Sequence, residues 1–323
     1  MALLPFIDNR NPDVDLQAHA EGRAAAGCPN CQHTQTAIRY DFGRERILRC
    51  TGCGLMYLYP WPTEEETRAV YGDTYFQNGE FLKGENSSLF GYVDYIAERL
   101  NKQWQYARIA RDIQARLKYR NDRPRLLEVG CGFGYFLDVA FEEGFDVTGV
   151  EFNAFAVDRL RRKYAFPIIS EGLEAATLEP RAFDVVTMFD VIEHLRDPFG
   201  AVDRLWSALV PGGLLVLSTQ DAESWVSRLL GKRLEDFRRT REHLFFFGRQ
   251  TLSQVLHQHG FDVVSIRSIG HTFSLTVLLE RLALYNRPLF LTLRTLVIKA
   301  GLGSLQFHIN PLTKMIVFAS RRG

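Results

Sequence analysis

The sequence carries no excess charge of either sign: 39 Lys and Arg face 38 Asp and Glu, leaving a net charge of +1. A chain so balanced has no global basic field to draw it onto nucleic acid. It also lacks an uninterrupted apolar run of the ~18 residues that a membrane-spanning helix needs. The opening MALLPFIDNRN is a short apolar run followed by polar residues, so no signal peptide is expected. Cysteine is scarce, five in 323 residues, and four of the five fall into two CxxC pairs. That usage points to metal ligation in a reducing cytosol rather than to disulfides.

What is present centres on 125–137, RLLEVGCGFGYFL. Leu126, Leu127 and Val129 form the apolar run of a buried parallel strand. The chain then turns on Gly130, Gly132 and Gly134 and enters a helical pattern at Tyr135. Strand, glycine loop and helix make a nucleotide-binding turn, because glycine permits close backbone approach and the helix start offers free N–H groups. No Gly-Lys-Ser/Thr follows, which excludes a P-loop and suits a ligand without phosphates.

Downstream, strands are expected over 126–129, 146–150, 167–170, 183–189 and 213–219, with helices over 135–143, 154–164, 198–209 and 250–259. Strands over 261–268 and 315–320 complete the pattern. Such alternation implies a parallel sheet covered on both faces, with ligands beyond the carboxyl ends of its strands. The 46% hydrophobic content is enough for one large domain and an appendage.

The appendage lies upstream. Cys28-Pro29-Asn30-Cys31 and Cys50-Thr51-Gly52-Cys53 are separated by 18 residues, the spacing of a zinc ribbon. Four cysteines fill a tetrahedral ion and leave no open position, so a structural zinc is expected at Cys28, Cys31, Cys50 and Cys53. The segment between the pairs reads as a hairpin turning near Gly43. Thr63 and Glu66 have the spacing of a capping box. Trp61 is expected to pack the ribbon onto the main domain, and Tyr71, Tyr75 and Phe76 to form a lid. A long helical pattern fills 92–120. Residues 271–311 are apolar yet studded with Arg281, Arg287, Arg294 and Lys299, which resembles amphipathic helices that cover a pocket or lie on a surface.

Four elements together resemble the class I S-adenosylmethionine (SAM) methyltransferases: the glycine loop with Glu128, the strand end Val150-Glu151-Phe152-Asn153, the run Phe189-Asp190-Val191-Ile192-Glu193-His194, and the turn Leu209-Val210-Pro211-Gly212-Gly213. The resemblance implies an α/β fold: a Rossmann-like doubly wound sheet of seven strands, the last antiparallel, with a small N-terminal zinc ribbon. It divides the chain into an N-terminal extension (1–26), the ribbon (27–60), a lid and helical segment (61–120) and a SAM-binding domain (121–323) with an apolar insertion at 271–311. It also implies SAM contacts at Glu128, Gly130, Cys131, Gly132, Gly134, Glu151, Phe152, Phe189 and Asp190, with Glu171 or the backbone near Leu173 meeting the adenine amine. Glu151 carries the ribose role, since one carboxylate can accept from both hydroxyls. The ribbon, the lid and the 243–247 segment are similar to a bacterial subgroup whose zinc domain resembles that of sugar methyltransferases.

The expected function is therefore cytosolic methyl transfer from SAM to a hydroxyl of a sugar or other small polar acceptor. Near-neutral charge and the absence of an NPPY-like motif stand against an RNA or protein methyltransferase that uses the ribbon for docking. Loss of catalysis in a SAM-binding sensor is the rival from another class. The basic cluster Arg228, Lys232, Arg233, Arg238, Arg239 and Arg241 fits a phosphate-bearing acceptor, and equally fits surface charge paired with Glu235, Asp236 and Glu242. Peripheral membrane contact through 271–311 is open. The catalytic candidates are Asp190, Glu193, His194 and His243. In one reading His194 or His243 is a general base. In the other, the four residues resemble a divalent-metal site of some O-methyltransferases. The sequence favours the base, because the Glu-His pair is widespread in relatives with no such ion.

Overall fold

The structure, a computed structural model, describes residues 27–71, 75, 98–117, 122–283 and 285–323. The expected N-terminal extension, Phe76 of the expected lid and both ends of the helix expected over 92–120 lie outside the described residues.

The first sheet begins with β1 (Thr36–Asp41) and β2 (Arg46–Cys50), an antiparallel hairpin whose turn is closed by Gly43 N–H donating to Asp41 Oδ1 at 2.8 Å. β3 (Met56–Tyr59) pairs antiparallel with β2. Next come α1 (Glu64–Val70) and α2 (Glu98–Arg116). The capping box of α1 forms as expected: Glu66 N–H donates to Thr63 Oγ1 and Thr63 N–H to Glu66 Oε2.

The main sheet opens with β4 (Arg125–Val129) and continues through α3 (Tyr135–Glu142), β5 (Asp146–Val150), α4 (Ala154–Lys163), β6 (Ile168–Ile169) and β7 (Phe183–Phe189). A 3-10 turn over Ile192–His194 leads to α5 (Pro198–Ala208) and β8 (Leu209–Gln220). Short helices α6 (Trp225–Leu230) and α7 (Glu235–Arg238) precede β9 (Phe245–Phe246), α8 (Arg249–Gln258) and β10 (Phe261–Ser268). The insertion holds β11 (His271–Ser274), α9 (Leu275–Leu282), α10 (Arg287–Lys299) and β12 (Gln306–Ile309), and β13 (Lys314–Arg321) ends the sheet. The helices expected in the insertion are present. The β11–β12 hairpin that frames them was not expected, because four-residue strands leave too little period to read.

Seven strands stand in the order β10-β13-β8-β7-β4-β5-β6. The pairs from β8 to β6 are parallel, and β13 runs antiparallel between β10 and β8. This is the expected Rossmann-like α/β sheet. The chain leaves central β4 toward β5 and β6, then crosses back to β7 and β8. The reversal opens a crevice at the carboxyl ends of β4 and β7. β8 starts four residues before the expected strand, because Leu209 already pairs with Phe183 and the chain then bulges through Pro211 and Gly212 before Leu214 meets Val185.

Both faces of the sheet are buried. Leu126 packs with Ile109 and Ile113 of α2 and Phe136 of α3, whereas its neighbour Leu127 faces Leu205 of α5 and Val255 of α8. The second core does not stop at the main domain. It runs on through Phe245 and Phe246 into Ile47, Met56, Leu58 and Trp61 of the N-terminal sheet. β9 is the reason: Phe245 and Phe246 pair antiparallel with Tyr57 and Met56, giving the order β1-β2-β3-β9. The ribbon sheet thus takes its fourth strand from a segment nearly two hundred residues downstream, and Trp61 sits edge-on to Phe245 at 5.6 Å between ring centroids.

A shared core predicts shared unfolding. Phe246→Ala, which empties a fully buried ring site between the two sheets, should cost about 3–5 kcal/mol. Cysteine accessibility in the ribbon and circular dichroism of the main domain should report one coincident transition in urea; two separated transitions would show that the ribbon folds independently.

Candidate active site

Three strand ends deliver the candidate residues to the crevice. After β4 the backbone passes Gly130 and Gly134 at φ 69° and 72°. A Cβ on Gly130 would lie 2.5 Å from Val191, and one on Gly134 would lie 2.6 Å from Leu160. Both the conformation and the crowding therefore require glycine. Gly132 N–H donates to Glu151 Oε2 and Asn153 N–H to Glu151 Oε1, each at 2.8 Å. These bonds hold the Glu151 carboxylate, buried at the end of β5, against the loop, and each oxygen keeps a further acceptor position. Burial raises the Glu151 pKa, opposed by the same amides. Glu128 is buried on β4 with Oε2 unpaired among the described residues, and burial pushes its carboxyl well up.

The remaining expected SAM contacts divide by exposure. Phe152 is 54% exposed and meets Tyr71 edge-on. Glu171 is exposed and Leu173 is buried in the core. The Cys131 thiol is buried against Gly149, apart from the cysteine cluster. Phe189 spends its ring on Phe136 and Tyr106, at 4.9 and 6.1 Å between centroids.

After β7, Asp190 stands at φ 58°, a strained conformation for a non-glycine residue. It is over-determined there. Its N–H donates to Ser218 O, Oδ1 accepts from Ser218 Oγ at 3.0 Å, and Oδ2 accepts from Lys314 at the start of β13. Burial works to raise the Asp190 pKa, but the Lys314 charge wins and the carboxyl lies below its usual range. Lys314 has no motif around it, and its partnership with Asp190 exists only because β13 inserts beside β8. His271 feels the same pair of charges and is driven down to about 3, chiefly by burial and then by Lys314.

The 3-10 turn places Glu193 and His194 side by side, and the segment before β9 brings His243 to them. One ligand atom from each of Glu193, His194 and His243 falls within 4.8 Å of the others. Asp190 does not join them; the expected four-residue set is reduced to three, because Asp190 is held by Ser218 and Lys314. His194 Nδ1 lies 3.0 Å from Glu242 O and 2.9 Å from Tyr71 Oη. His243 Nδ1 lies 3.0 Å from Asp236 O. A carbonyl oxygen only accepts, so both Nδ1 atoms carry the proton and both Nε2 atoms keep a lone pair. Burial lowers both histidine pKa values, that of His243 well below its usual range, which keeps the imidazoles neutral. Glu193 is 2% exposed, its Oε2 has no hydrogen-bond partner among the described residues, and burial followed by the Asp190 charge pushes its carboxyl up to about 8. Two neutral imidazoles and an under-satisfied carboxylate, with both rings steered from behind by carbonyls, match the donor chemistry of a divalent transition ion.

Two further groups are settled by their partners. Arg239, for which phosphate binding and pairing with Glu235, Asp236 and Glu242 were equal expectations, is half-buried and donates to Glu242 Oε2 at 2.7 Å and Glu235 Oε1 at 3.1 Å, the paired arrangement. Arg228, Lys232, Arg233 and Arg241 are exposed. In the ribbon, one ligand atom from each of Cys28, Cys31, Cys50 and Cys53 lies within 4.8 Å of the rest. Cys28 Sγ is 3.6 Å from Cys53 Sγ, and Cys31 Sγ is 3.5 Å from Cys50 Sγ.

Glu193 should leave a signature in stability. Its folded pKa of about 8 exceeds the usual 4.5, so the folded chain holds a proton that the unfolded chain releases. The carboxyl therefore costs nothing below pH ~4.5, and stability falls as pH climbs from there to ~8. In chelator-treated protein, Glu193→Gln should gain on the unsubstituted chain across that window. Urea midpoints that keep the same spacing from pH ~5 to pH ~8 would contradict the assignment.

The family model described as a methyltransferase domain matches residues 100–266. The ubiquinone biosynthesis O-methyltransferase of Pectobacterium carotovorum subsp. carotovorum is 32% identical over 115 residues, which cover 33% of this chain and 48% of that protein. A protein of Mycolicibacterium smegmatis, named a probable S-adenosylmethionine-dependent methyltransferase, is 31% identical over 160 residues, covering 49% of this chain and 60% of that one. The chain thus spans about half the length of these curated relatives. The crystal structure of a SAM-dependent methyltransferase from Archaeoglobus fulgidus superposes with a TM-score of 0.45 at 19% identity, covering 68% of this chain and 94% of that one.

Proposed function

This chain belongs to the methyltransferase-domain family, and from that premise we propose that it transfers a methyl group from SAM to a hydroxyl of a small-molecule acceptor. The single observation that carries the reading is the Glu151 carboxylate held 2.8 Å from Gly132 N–H at the mouth of the glycine loop. That geometry suits a ribose diol beside a ligand whose other end enters the loop. Glu128 has an unpaired buried oxygen one strand away, and a cationic methionine end beside it would offset the burial that raises its carboxyl. Phe152 offers its exposed face to the adenine. When bound, SAM supplies a sulfonium methyl, whose displacement leaves a neutral thioether.

An acceptor hydroxyl must lose a proton. The proposal assigns that task to the Glu193, His194 and His243 set, with Asp190 and Lys314 as a neutralised wall. One ligand atom from each of Glu193, His194 and His243, within 4.8 Å of the others, suits a divalent cation. Such an ion would lower the pKa of a coordinated hydroxyl. Imidazole ligands favour Mn²⁺, Fe²⁺ or Zn²⁺ over Mg²⁺. The curated relatives named as O-methyltransferases support oxygen as the accepting atom. The proposal also gives the ribbon a structural zinc on its four cysteines, for which tetrahedral thiolate ligation is the natural use of four convergent sulfurs.

Glu151→Ala should weaken SAM binding by about 1.5–3 kcal/mol, the worth of hydrogen bonds to a charged acceptor. Calorimetric affinity unchanged in that variant would remove the SAM assignment.

The two metal sites separate by experiment. Freshly purified protein should carry zinc that Cys50→Ser abolishes. Added Mn²⁺ should bind with proton release and with affinity that rises toward pH 8, because Glu193 must ionise first. His243→Ala should lose the Mn²⁺ but keep the zinc. If Mn²⁺ binding survives the loss of His243, or never occurs, deprotonation falls to His194 or His243 as a base.

A further inference from the structure

The insertion leaves an apolar surface that nothing among the described residues covers. On α10, Phe290, Leu291, Arg294 and Val297 are half-buried. Leu289, Leu293 and Leu296 follow one another at i, i+4 and i+7 on a different side and are 50%, 38% and 56% exposed. Leu302, Leu305 and Phe307 carry the surface on through the following turn and into β12, again largely exposed.

The charge pattern says what covers it. From Arg281 to Gly323 the sequence holds no Asp or Glu. Four of the basic residues in this stretch are already matched from outside it: Arg281 by Glu235, Arg294 by Glu280, Lys314 by Asp190 and Arg322 by Asp262. Arg287 and Lys299, at the two ends of α10, are exposed. Each end of α10 thus carries an exposed cation, and the stretch itself carries no acid. A second copy docked face to face would set these cations and leucines against an equally acid-free surface. An anionic lipid surface complements both features at once. No helix among the described residues is long and apolar enough to cross a membrane.

We propose that α10 and the turn after it dock on an anionic membrane surface, with Leu289, Leu293 and Leu296 entering the acyl boundary and Arg287 and Lys299 at the phosphates. The docking stands apart from the methyl-transfer reading, since it uses none of the crevice residues.

Flotation of the full chain with vesicles tests it. The protein should rise with vesicles of phosphatidylcholine and phosphatidylglycerol in equal parts and stay behind with phosphatidylcholine alone. Leu293→Glu with Leu296→Glu should lower partitioning by about tenfold or more. Arg287→Glu with Lys299→Glu should lower it at least ~5-fold per charge removed. Both pairs change exposed side chains, and an unaltered melting midpoint verifies that each variant is folded. Failure to float with anionic vesicles overturns the proposal, as does flotation that neither pair reduces. Concentration-dependent dimerisation, seen by light scattering and abolished by Leu293→Glu with Leu296→Glu, would assign the surface to a second copy and overturn it as well.

Discussion

The structure depends on how one six-residue segment, 242–247, is held between two sheets. On one side Leu58 N–H of β3 donates to Leu244 O at 2.8 Å; on the other, Leu244 N–H donates to Glu193 O, also at 2.8 Å. Gln220 Nε2 donates to Phe245 O, and Ala222 N–H to Phe247 O. These bonds fix the segment's register, and in a strand-like segment register decides which way every side chain points. A slip of one residue would exchange His243 with Leu244. The ribbon therefore does more than decorate the N-terminal side: its third strand is part of the frame that sets His243 against His194, whose ring centroids are 4.8 Å apart. A loosely tethered docking module would show no such merging of cores.

Electrostatics inside that frame follow from burial. Glu128, Glu151 and Glu193 are all less than 6% exposed. Three carboxylates around one crevice lack the water that would stabilise their charge, and each is raised above its usual range, burial being the largest cause. Asp190 escapes because Lys314 sits against it. The fold thus separates two kinds of acid: a paired carboxylate at Asp190 after β7, and carboxyls with one unpaired oxygen each at Glu128 on β4 and Glu193 in the 3-10 turn. Unsatisfied buried acids are costly unless something cationic meets them. Under the proposed function, a sulfonium-bearing amino acid would answer that cost at Glu128 and a divalent ion at Glu193.

The pocket wall and the exposed helix belong to the same insertion. β11 brings His271 near Asp190 and Lys314, β12 brings His308 edge-on to Trp104 of α2, and α9 ties to α7 through Arg281 and Glu235. Between these anchors α10 projects with no residue fully buried. The proposed docking surface and the residues near Asp190 thus sit on one insertion.

Much of this was written in local sequence. Alternating strands and helices, the glycine loop, the two CxxC pairs and the Thr63–Glu66 capping box depend on neighbours within a few residues, so their types and order can be read along the chain. The likeness to class I methyltransferases rested on the same short-range motifs. Glu193 and His194 are adjacent in sequence, so their meeting needed no folding to foresee. Other features were decided by tertiary structure. β9 is two residues long, and nothing in Phe245-Phe246 announces that it completes a sheet with Met56 and Tyr57. Lys314 lies 124 residues from Asp190, and only the antiparallel insertion of β13 beside β8 makes them partners. The sequence left Arg239 open between a phosphate-binding cluster and pairing with Glu235 and Glu242, and only its packing between those two acids decided for the pairing. Asp190 was grouped with the ligand candidates by spacing, and the three-dimensional pairing took it out. Local sequence determines which elements form, because hydrogen bonds and side-chain periodicity act over one turn or one strand pair. Which charges meet is settled by strand order and register, and those emerge only when the whole core closes.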